Sequence, residues 1–466
     1  MRRVFKSIAI TLSLFLLPIN PANGAISGTK CTKSGTTKIV GNIKYTCVKQ
    51  GSKLVWNKGI SIKPAVKTTP SPTPTATPTP TVSSTPSPDP SPTASVTPKA
   101  PDYVLSNASE FENLEVCRLK TQITTPQNNG FPRNPINLNS TGTIRGITLF
   151  VDYSDLPATG DEIRVWKTQQ IPTAENAFRA MSYGKMQLKI DTLDKVLHVN
   201  KSVLSYNMDT PHGSPFKANA NPGGIVRDAA IAADTEIDFS KYDFLNVVTP
   251  ATSLIGSEGA LGIDLSLDGK RFTEATFGSI REYKDDETKY FWLVHEMGHL
   301  LGLMHPYAWG KGNIPVWDVM GSGVTVAPEY LLWHKFLLGW LDQNNVRCAL
   351  QPINKKITAQ IYPIGDRTQN LKGLILKLSD SQLLVIEYRK KSDLDAMLPR
   401  EEGVLVYTVN TNAPDNGGAI NILNEKLQLR NEMWMDTLKV GGAINYMNLE
   451  IRVLSENDSS VIISVS

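Results

Sequence analysis

Five residues within one short stretch of the chain have the types and the spacing of a catalytic metal site. His295 and His299 are four residues apart, so a helix would present both imidazoles on one face, where they can bind one metal ion. Glu296 follows the first histidine and can polarise a water molecule without binding the metal itself. Gly302 would end the helix in a sharp turn that brings His305 round as a third ligand. Three protein ligands leave a fourth position for water, which is typical of catalytic zinc sites.

This extended pattern is much more specific than two histidines on a helix, because a bare HExxH occurs by chance often enough to be weak evidence. The chain has only six histidines, and three of them lie in the pattern HExxHxxGxxH with Glu and Gly at the required positions. We therefore predict one catalytic zinc ion. About structural calcium the sequence gives no indication.

Downstream of the zinc pattern, Met320 lies in the segment Trp-Asp-Val-Met-Gly-Ser-Gly at residues 317–323. This segment resembles the Met-turn of metzincins, in which a methionine packs beneath the zinc-bound histidines. The chain thus resembles the metzincin metallopeptidases, and within them the secreted bacterial peptidases of the immune inhibitor A-like family. The narrower likeness covers roughly residues 140–410 and depends on short stretches at residues 182–185, 238–243, 338–341 and 385–389.

Two positions depart from the family pattern. Members of the immune inhibitor A-like family often carry Asp as the third ligand, where this chain has His305. Some metzincins place a Tyr two residues after the methionine, near the oxyanion of the transition state, where this chain has Ser322. Tyr307, Tyr330 and His334 are candidates to replace that Tyr, although a structural role is the more usual one for each.

The resemblance implies metal-assisted hydrolysis of peptide bonds within proteins, with Glu296 as the general base. It also implies that protein or peptide substrates lie extended along an edge strand that precedes the zinc helix, for which residues 260–267 are the candidate. Two alternatives stay open: a catalytically silent zinc protein that acts by binding, and a cell-envelope-binding protein in which catalysis is secondary.

The elements around the motif predict an α+β fold. We expect a metzincin-like catalytic domain at residues 140–345, with a twisted mixed sheet and the zinc-binding helix, followed by an all-β C-terminal domain at residues 346–466 of the small-sandwich kind. Apolar runs predict strands at residues 144–153, 186–190 and 244–248, and helices at residues 161–181, interrupted by Pro172, and 224–234. C-terminal strands are predicted at residues 373–378, 382–388, 403–409, 449–454 and 461–465.

The N-terminus has the layout of a secretory signal peptide at residues 1–25. Three basic residues precede an apolar run at residues 8–17, and small residues follow near residues 24–25, where we expect cleavage. The run is about half of the roughly 20 residues that cross a bilayer. We therefore expect a secreted protein whose mature chain has no transmembrane segment.

A small basic module at residues 26–63 and a Pro/Thr/Ser-rich linker at residues 64–101 precede the large domain. Residues 1–63 contain 11 basic and no acidic residues, whereas residues 103–466 contain 35 basic and 42 acidic residues. The module could bind an anionic cell-envelope polymer, or its lysines could form a solvated face without a partner. The large domain gives no indication of nucleic-acid binding, and we expect a monomer.

Four cysteines fit an exported protein, because disulfides persist in oxidising compartments. We predict that Cys31 pairs with Cys47 inside the basic module, the alternative being free or metal-bound thiols. Cys117 and Cys348 flank the catalytic region and most simply pair with each other. In the alternative, Cys117 binds the zinc of a latent form. The pre-catalytic segment at residues 102–139 could be inhibitory, but only its position indicates this.

Overall fold

The structure is a computed structural model that describes residues 29–40, 43–50, 53–57, 60–61, 103–209, 217–250, 259–279, 291–306, 317–321, 329–397, 402–423 and 437–466. The predicted signal peptide and the Pro-rich linker lie outside these residues. The chain divides into two compact units, Met1–Val96 and Thr97–Ser466. Within the described ranges, no helix is long and apolar enough to cross a membrane.

The first unit contains a small antiparallel sheet. Its strands are β1 (Thr37–Val40), β2 (Ile43–Gln50), β3 (Lys53–Trp56) and β4 (Ile60–Ser61), and β2 pairs with each of the other three. Cys31 and Cys47 form a disulfide, and both are buried together with Tyr45. The predicted pairing in this module is therefore confirmed. The disulfide crosslinks a unit that is too small to form a large hydrophobic core.

A five-stranded mixed sheet forms the centre of the second unit. Its strands are β5 (Gly142–Tyr153), β6 (Met186–Val199), β7 (Phe244–Thr249), β8 (Gly259–Leu267) and β9 (Lys270–Ser279). They lie in the order β6-β5-β7-β9-β8, in which β6, β5, β7 and β9 are parallel and β8 is antiparallel to β9. Among the described strands, β8 is thus an edge, as the sequence predicts for residues 260–267.

Helices cover both faces of this sheet. These helices are α1 (Asp161–Val165), α2 (Ile171–Met181), α3 (Pro222–Ala233) and α4 (Trp292–Leu300), and a further helix, α5 (Leu332–Leu337), packs on a C-terminal sheet. Successive side chains of a strand point to opposite faces, so Ile144 and Phe150 of β5 join a core with α2 and α4, whereas Ile147 and Leu149 join a core with α3. The fold is mixed α+β, as the sequence predicts.

One helical segment runs through Pro172 without a break. A turn of π-helix, Trp166–Gln170, connects α1 to α2, and Pro172 lies in the first turn of α2. In a regular α-helix a proline ring clashes with the carbonyl four residues earlier, whereas the π turn shifts the hydrogen bond of Ile171 to the carbonyl of Trp166, five residues earlier. The change in hydrogen-bond register at the π turn thus accommodates the proline that the sequence suggested as an interruption.

The C-terminal part forms two packed sheets. The first contains β10 (Val346–Leu350), β12 (Gly373–Lys377), β13 (Gln382–Arg389), β14 (Gly403–Asn410) and β15 (Ile420–Leu423); the second contains β11 (Ile357–Ile361), β16 (Ala443–Tyr446), β17 (Leu449–Glu456) and β18 (Val461–Val465). Side chains from both sheets, among them Ile361, Leu384 and Ile463, share one buried core. The other face of the first sheet packs on α5 through Val385 and Phe336.

The pre-catalytic segment is fixed to this β-rich part. Cys117 forms a disulfide with Cys348 of β10, and the backbone N–H of Glu112 donates to the Cys348 carbonyl at 2.9 Å. Both sulfurs are buried. The predicted pairing is confirmed, and a disulfide-bonded Cys117 cannot be the inhibitory zinc ligand of a latent form.

We expect the Cys117→Ser/Cys348→Ser variant to lose about 2–5 kcal/mol of unfolding free energy, measured by urea denaturation, because the bond joins residues 231 positions apart. A matched control, Cys31→Ser/Cys47→Ser, removes a bond across only 16 positions within the first unit. In that control, the main unfolding transition should occur at the same urea concentration as in the wild type. An equal shift in both double variants would contradict the prediction.

Candidate metal centre

Helix α4 carries two of the three histidines and is anchored on the central sheet. Every residue from Trp292 to Gly298 in it is buried. A Cβ added at Gly278 of β9 would lie 2.6 Å from the Trp292 ring, so only glycine allows the start of α4 to lie this close to the sheet. His295 and His299 share one face of the helix, as the sequence predicts.

The turn after α4 requires glycine. Gly302 has a φ of +91°, a conformation that side chains with a Cβ rarely adopt. A Cβ there would also lie 2.1 Å from Nδ2 of Asn137. The chain reverses at this point and brings His305 back toward the helix.

The three histidines meet at one place. Their ring centroids lie 4.9 Å apart for His295 and His299, 4.5 Å for His299 and His305, and 5.3 Å for His295 and His305. One nitrogen from each ring lies within 4.8 Å of the other two, so that the set can hold a metal ion. Among the described residues, this is the one such cluster of potential metal ligands.

Each imidazole is oriented through Nδ1. The Nδ1 of His295 lies 2.8 Å from the carbonyl of Val319, and that of His299 lies 2.8 Å from the carbonyl of Leu303. The Nδ1 of His305 lies 3.2 Å from both carboxylate oxygens of Asp415. Because a carbonyl or carboxylate oxygen can only accept a hydrogen bond here, these partners fix the Nδ1–H tautomer and leave Nε2 as the ligand nitrogen.

Burial favours the neutral, metal-binding form of the two helical ligands. It lowers the pKa of His295 to about 4, assisted by the nearby His305. Burial also holds the pKa of His299 well below its usual range, with His295 and His305 adding to the effect. Both rings are therefore neutral near pH 7, which is the state in which imidazole binds a metal ion.

The Glu296 side chain contacts the edge strand β8. Its side chain is buried, and Oε2 accepts a hydrogen bond from the backbone N–H of Ala260 in β8 at 2.7 Å. A Cβ at Gly259 would lie 3.3 Å from the same oxygen. The carboxylate thus lies between the second residue of β8 and the helix that carries the histidines.

Met320 packs directly against α4. A Cβ at Gly298, between the two helical histidines, would lie 2.3 Å from the Sδ of Met320. Asp318 shapes the turn by accepting hydrogen bonds from the N–H groups of Met320 and Leu331, each at 2.7 Å. The turn therefore gives the helix an apolar floor and supplies the Val319 carbonyl to His295.

Tyr330 and His334 have structural contacts. The Tyr330 hydroxyl donates to the Val294 carbonyl at 3.1 Å, and its ring stacks on Trp340. His334 is buried, with Nδ1 at 2.7 Å from the Asp318 carboxylate. Neither side chain is exposed toward a substrate, whereas Tyr307 and Ser322 lie outside the described residues.

The C-terminal end of α4 is capped by the pre-catalytic segment, which sequence reasoning did not foresee. The N–H of Leu138 donates to the Leu300 carbonyl at 2.9 Å, and the Arg133 guanidinium donates to the Leu301 carbonyl at 2.7 and 3.1 Å. The N–H of Asn128 donates to the Gly302 carbonyl at 3.1 Å. These bonds satisfy carbonyls that a helix end leaves without an intrahelical partner. This part of the segment therefore builds the site.

Asp415 is the other residue that the sequence did not reveal. It lies 110 positions after His305, on the connection between β14 and β15, and no motif spacing relates the two. The available signal was general: histidine ligands usually donate their second nitrogen to a carboxylate or a carbonyl.

Compared with known proteins, the sequence matches no family model and no curated protein. Among solved structures, it is similar to wild-type OgpA from Akkermansia muciniphila, with 12% identity and a TM-score of 0.25, over 64% of this chain and 96% of that chain. It is also similar to catalytic inactive OgpA from the same organism in complex with an O-glycopeptide (glycodrosocin) substrate, with 11% identity and a TM-score of 0.23 over the same shares. Likenesses this weak carry no argument about the function of this chain.

The packing of Met320 on α4 predicts the effect of a single methyl group. Gly298→Ala should lower the free energy of unfolding by about 1–3 kcal/mol, because the new Cβ overlaps the Met320 sulfur and the Tyr330 hydroxyl. Urea denaturation measures this loss. Gly223→Ala is the matched control, since Gly223 lies on α3 with no atom within 4 Å of an added Cβ. Equal stability of the two variants would contradict the packing described here.

Proposed function

We propose that this protein is a secreted zinc-dependent endopeptidase of the metzincin type, which hydrolyses peptide bonds of extracellular proteins. The observation that carries the proposal is the convergence of His295, His299 and His305 in an arrangement that can hold a metal ion. The HExxHxxGxxH pattern and the packing of Met320 beneath α4 support the same assignment. The two disulfides support secretion, because such bonds persist in oxidising compartments.

The three histidines would hold zinc through Nε2, since Nδ1 of each ring faces a hydrogen-bond acceptor. Zinc bound by these residues would supply a Lewis acid able to polarise the scissile carbonyl and to lower the pKa of water toward about 7. Glu296, next to the first ligand, takes the proton of the attacking water and passes it to the leaving amine. General acid–base catalysis of this kind contributes about 10²- to 10⁴-fold to the rate.

Substrate would bind along β8. An extended peptide can add to an edge strand through main-chain hydrogen bonds, with side-chain pockets setting specificity. The hydrogen bond from Ala260 to Glu296 links the start of β8 to the catalytic carboxylate. A peptide paired with this strand would therefore pass close to the general base and the metal centre.

The peptidase proposal predicts a separation of metal binding from activity. Glu296→Gln should retain zinc but cleave an unfolded protein such as casein at least about 100-fold more slowly, because glutamine cannot take up the proton of water. Zinc content and the rate of casein cleavage, measured on the same preparations, check this. The glutamine carbonyl can still accept the Ala260 N–H, so we expect the fold to be kept.

Glu274→Gln is the matched control for this substitution. Glu274 lies on β9, is as buried as Glu296, and burial raises its pKa to about 8, so that glutamine resembles its protonated form at pH 7. The Glu274→Gln variant should cleave casein at the wild-type rate. A wild-type chain that binds zinc and cleaves neither casein nor other unfolded proteins would instead indicate a zinc protein that acts by binding.

A second candidate function, binding to an anionic cell-envelope polymer, is favoured by the first unit. Its described part contains no acidic residue, and all of its described lysines are exposed: Lys30, Lys33, Lys38, Lys44, Lys49 and Lys53. A surface of one charge sign attracts a polymer of the opposite sign. Such binding would hold the catalytic unit near the envelope and is compatible with peptidase activity.

This candidate predicts salt-sensitive retention of the full-length chain on isolated cell-wall material. Retention should occur at about 0.05 M salt and disappear at about 1 M salt, where the Debye length falls to about 3 Å. A variant with Lys38, Lys44 and Lys49 changed to Ala should be retained less at low salt. The matched control changes three exposed lysines of the second unit to Ala: Lys167, Lys195 and Lys201. Retention that depends equally on both sets, or that survives high salt, would contradict a charge-specific role of the module.

A further inference from the structure

The third histidine depends on a part of the chain that is remote in sequence. His295 and His299 are held by the hydrogen bonds and packing of α4, but His305 lies after the helix, in a stretch without helix or strand. A ligand in such a stretch needs other contacts to keep its position. Contacts of this kind come from the connection between β14 and β15 at residues 411–419 and from the first residue of β15.

Asp415 contacts His305 at two points. One carboxylate oxygen accepts the backbone N–H of His305 at 2.8 Å, and both oxygens lie 3.2 Å from Nδ1 of its ring. The next residue is held as well, because the Ile420 N–H at the start of β15 donates to the Pro306 carbonyl at 3.0 Å. The backbone and the ring of His305 are thus fixed by the C-terminal sheet and by the loop between its strands β14 and β15.

The connection that carries Asp415 is itself anchored. The Thr411 hydroxyl donates to the Lys120 carbonyl at 2.8 Å, and the Thr121 hydroxyl donates to the Thr411 carbonyl at 2.6 Å. The Asn412 side chain accepts the Gln122 N–H at 2.7 Å. Asp415 is therefore presented by a loop tied to the sheet and to the pre-catalytic segment.

We infer that Asp415 is a positioning residue of the metal centre, which fixes the tautomer and the orientation of His305 and thereby couples metal binding to the C-terminal sheet. This inference rests on the proposed metal site, but not on peptide cleavage. The carboxylate lies on the Nδ1 side of the ring, opposite to the nitrogen that would bind the metal, so Asp415 acts through His305. As an anionic acceptor it also makes the imidazole a stronger donor to a metal ion.

A purely superficial ion pair is the alternative, because the Asp415 side chain is 46% exposed and exposed pairs contribute little to stability. The two ideas differ in what the carboxylate controls. A surface pair would leave metal affinity unchanged when it is removed. A positioning residue would lower metal affinity even where the fold is intact.

The test measures zinc affinity of the full-length chain by competition with a chelator, and the visible spectrum of the Co²⁺-substituted protein. Asp415→Ala should bind zinc about 10- to 100-fold more weakly and change the Co²⁺ spectrum. Asp415→Asn keeps an oxygen that can accept the His305 N–H but loses the charge, so its loss should be smaller. Asp380→Asn is the matched control, because Asp380 is a fully exposed carboxylate on the β12–β13 turn. It should match the wild type.

Urea unfolding of the metal-free variants separates positioning from stability, and we expect wild-type midpoints. Wild-type zinc affinity in both Asp415 variants would overturn the inference. A loss of zinc affinity in Asp380→Asn as large as that in Asp415→Ala would overturn it too. The inference would also be overturned if Asp415→Ala lost zinc affinity and had a lowered urea midpoint while Asp415→Asn bound zinc like the wild type. Asp415 would then be a structural contact only. A wild-type chain that binds zinc but cleaves nothing would contradict the peptidase proposal and leave this test intact.

Discussion

Three imidazole rings must present the same nitrogen to one point, and this requirement organises the second unit of the protein. A histidine ring can rotate and can carry its proton on either nitrogen, so spacing in the sequence does not by itself make a metal site. Here each Nδ1 faces an acceptor, supplied by Val319, Leu303 or Asp415. Because these acceptors come from different parts of the chain, the geometry of the site depends on the whole unit rather than on helix α4 alone.

The surrounding elements can be understood by how they serve this requirement. The mixed sheet supports α4, the turn at Met320 underlies it, and the segment around Arg133 satisfies the carbonyls at its end. The first C-terminal sheet packs on α5 and presents the loop that holds His305. The disulfide from Cys117 to Cys348 then ties the segment before the site to the strands after it.

Features with a local cause could be predicted from the sequence. The four-residue spacing of His295 and His299, the turn at Gly302 and the positions of the C-terminal strands each follow from patterns within a few residues. Asp415 and the capping role of Arg133 could not be predicted, because they act through contacts across 110 and 168 positions that no short pattern encodes. The π turn before Pro172 was missed because a proline inside a helical pattern ordinarily indicates an interruption.

Binding of one zinc ion by the Nε2 atoms of His295, His299 and His305 is tested most directly by crystals grown with zinc, with anomalous diffraction recorded on both sides of the zinc edge. We predict one strong anomalous peak per chain at about 2.0–2.1 Å from the Nε2 atom of each histidine, with each Nδ1 still hydrogen-bonded to its acceptor. A peak located elsewhere, coordination through Nδ1, or no peak at these three residues at saturating zinc would contradict the account.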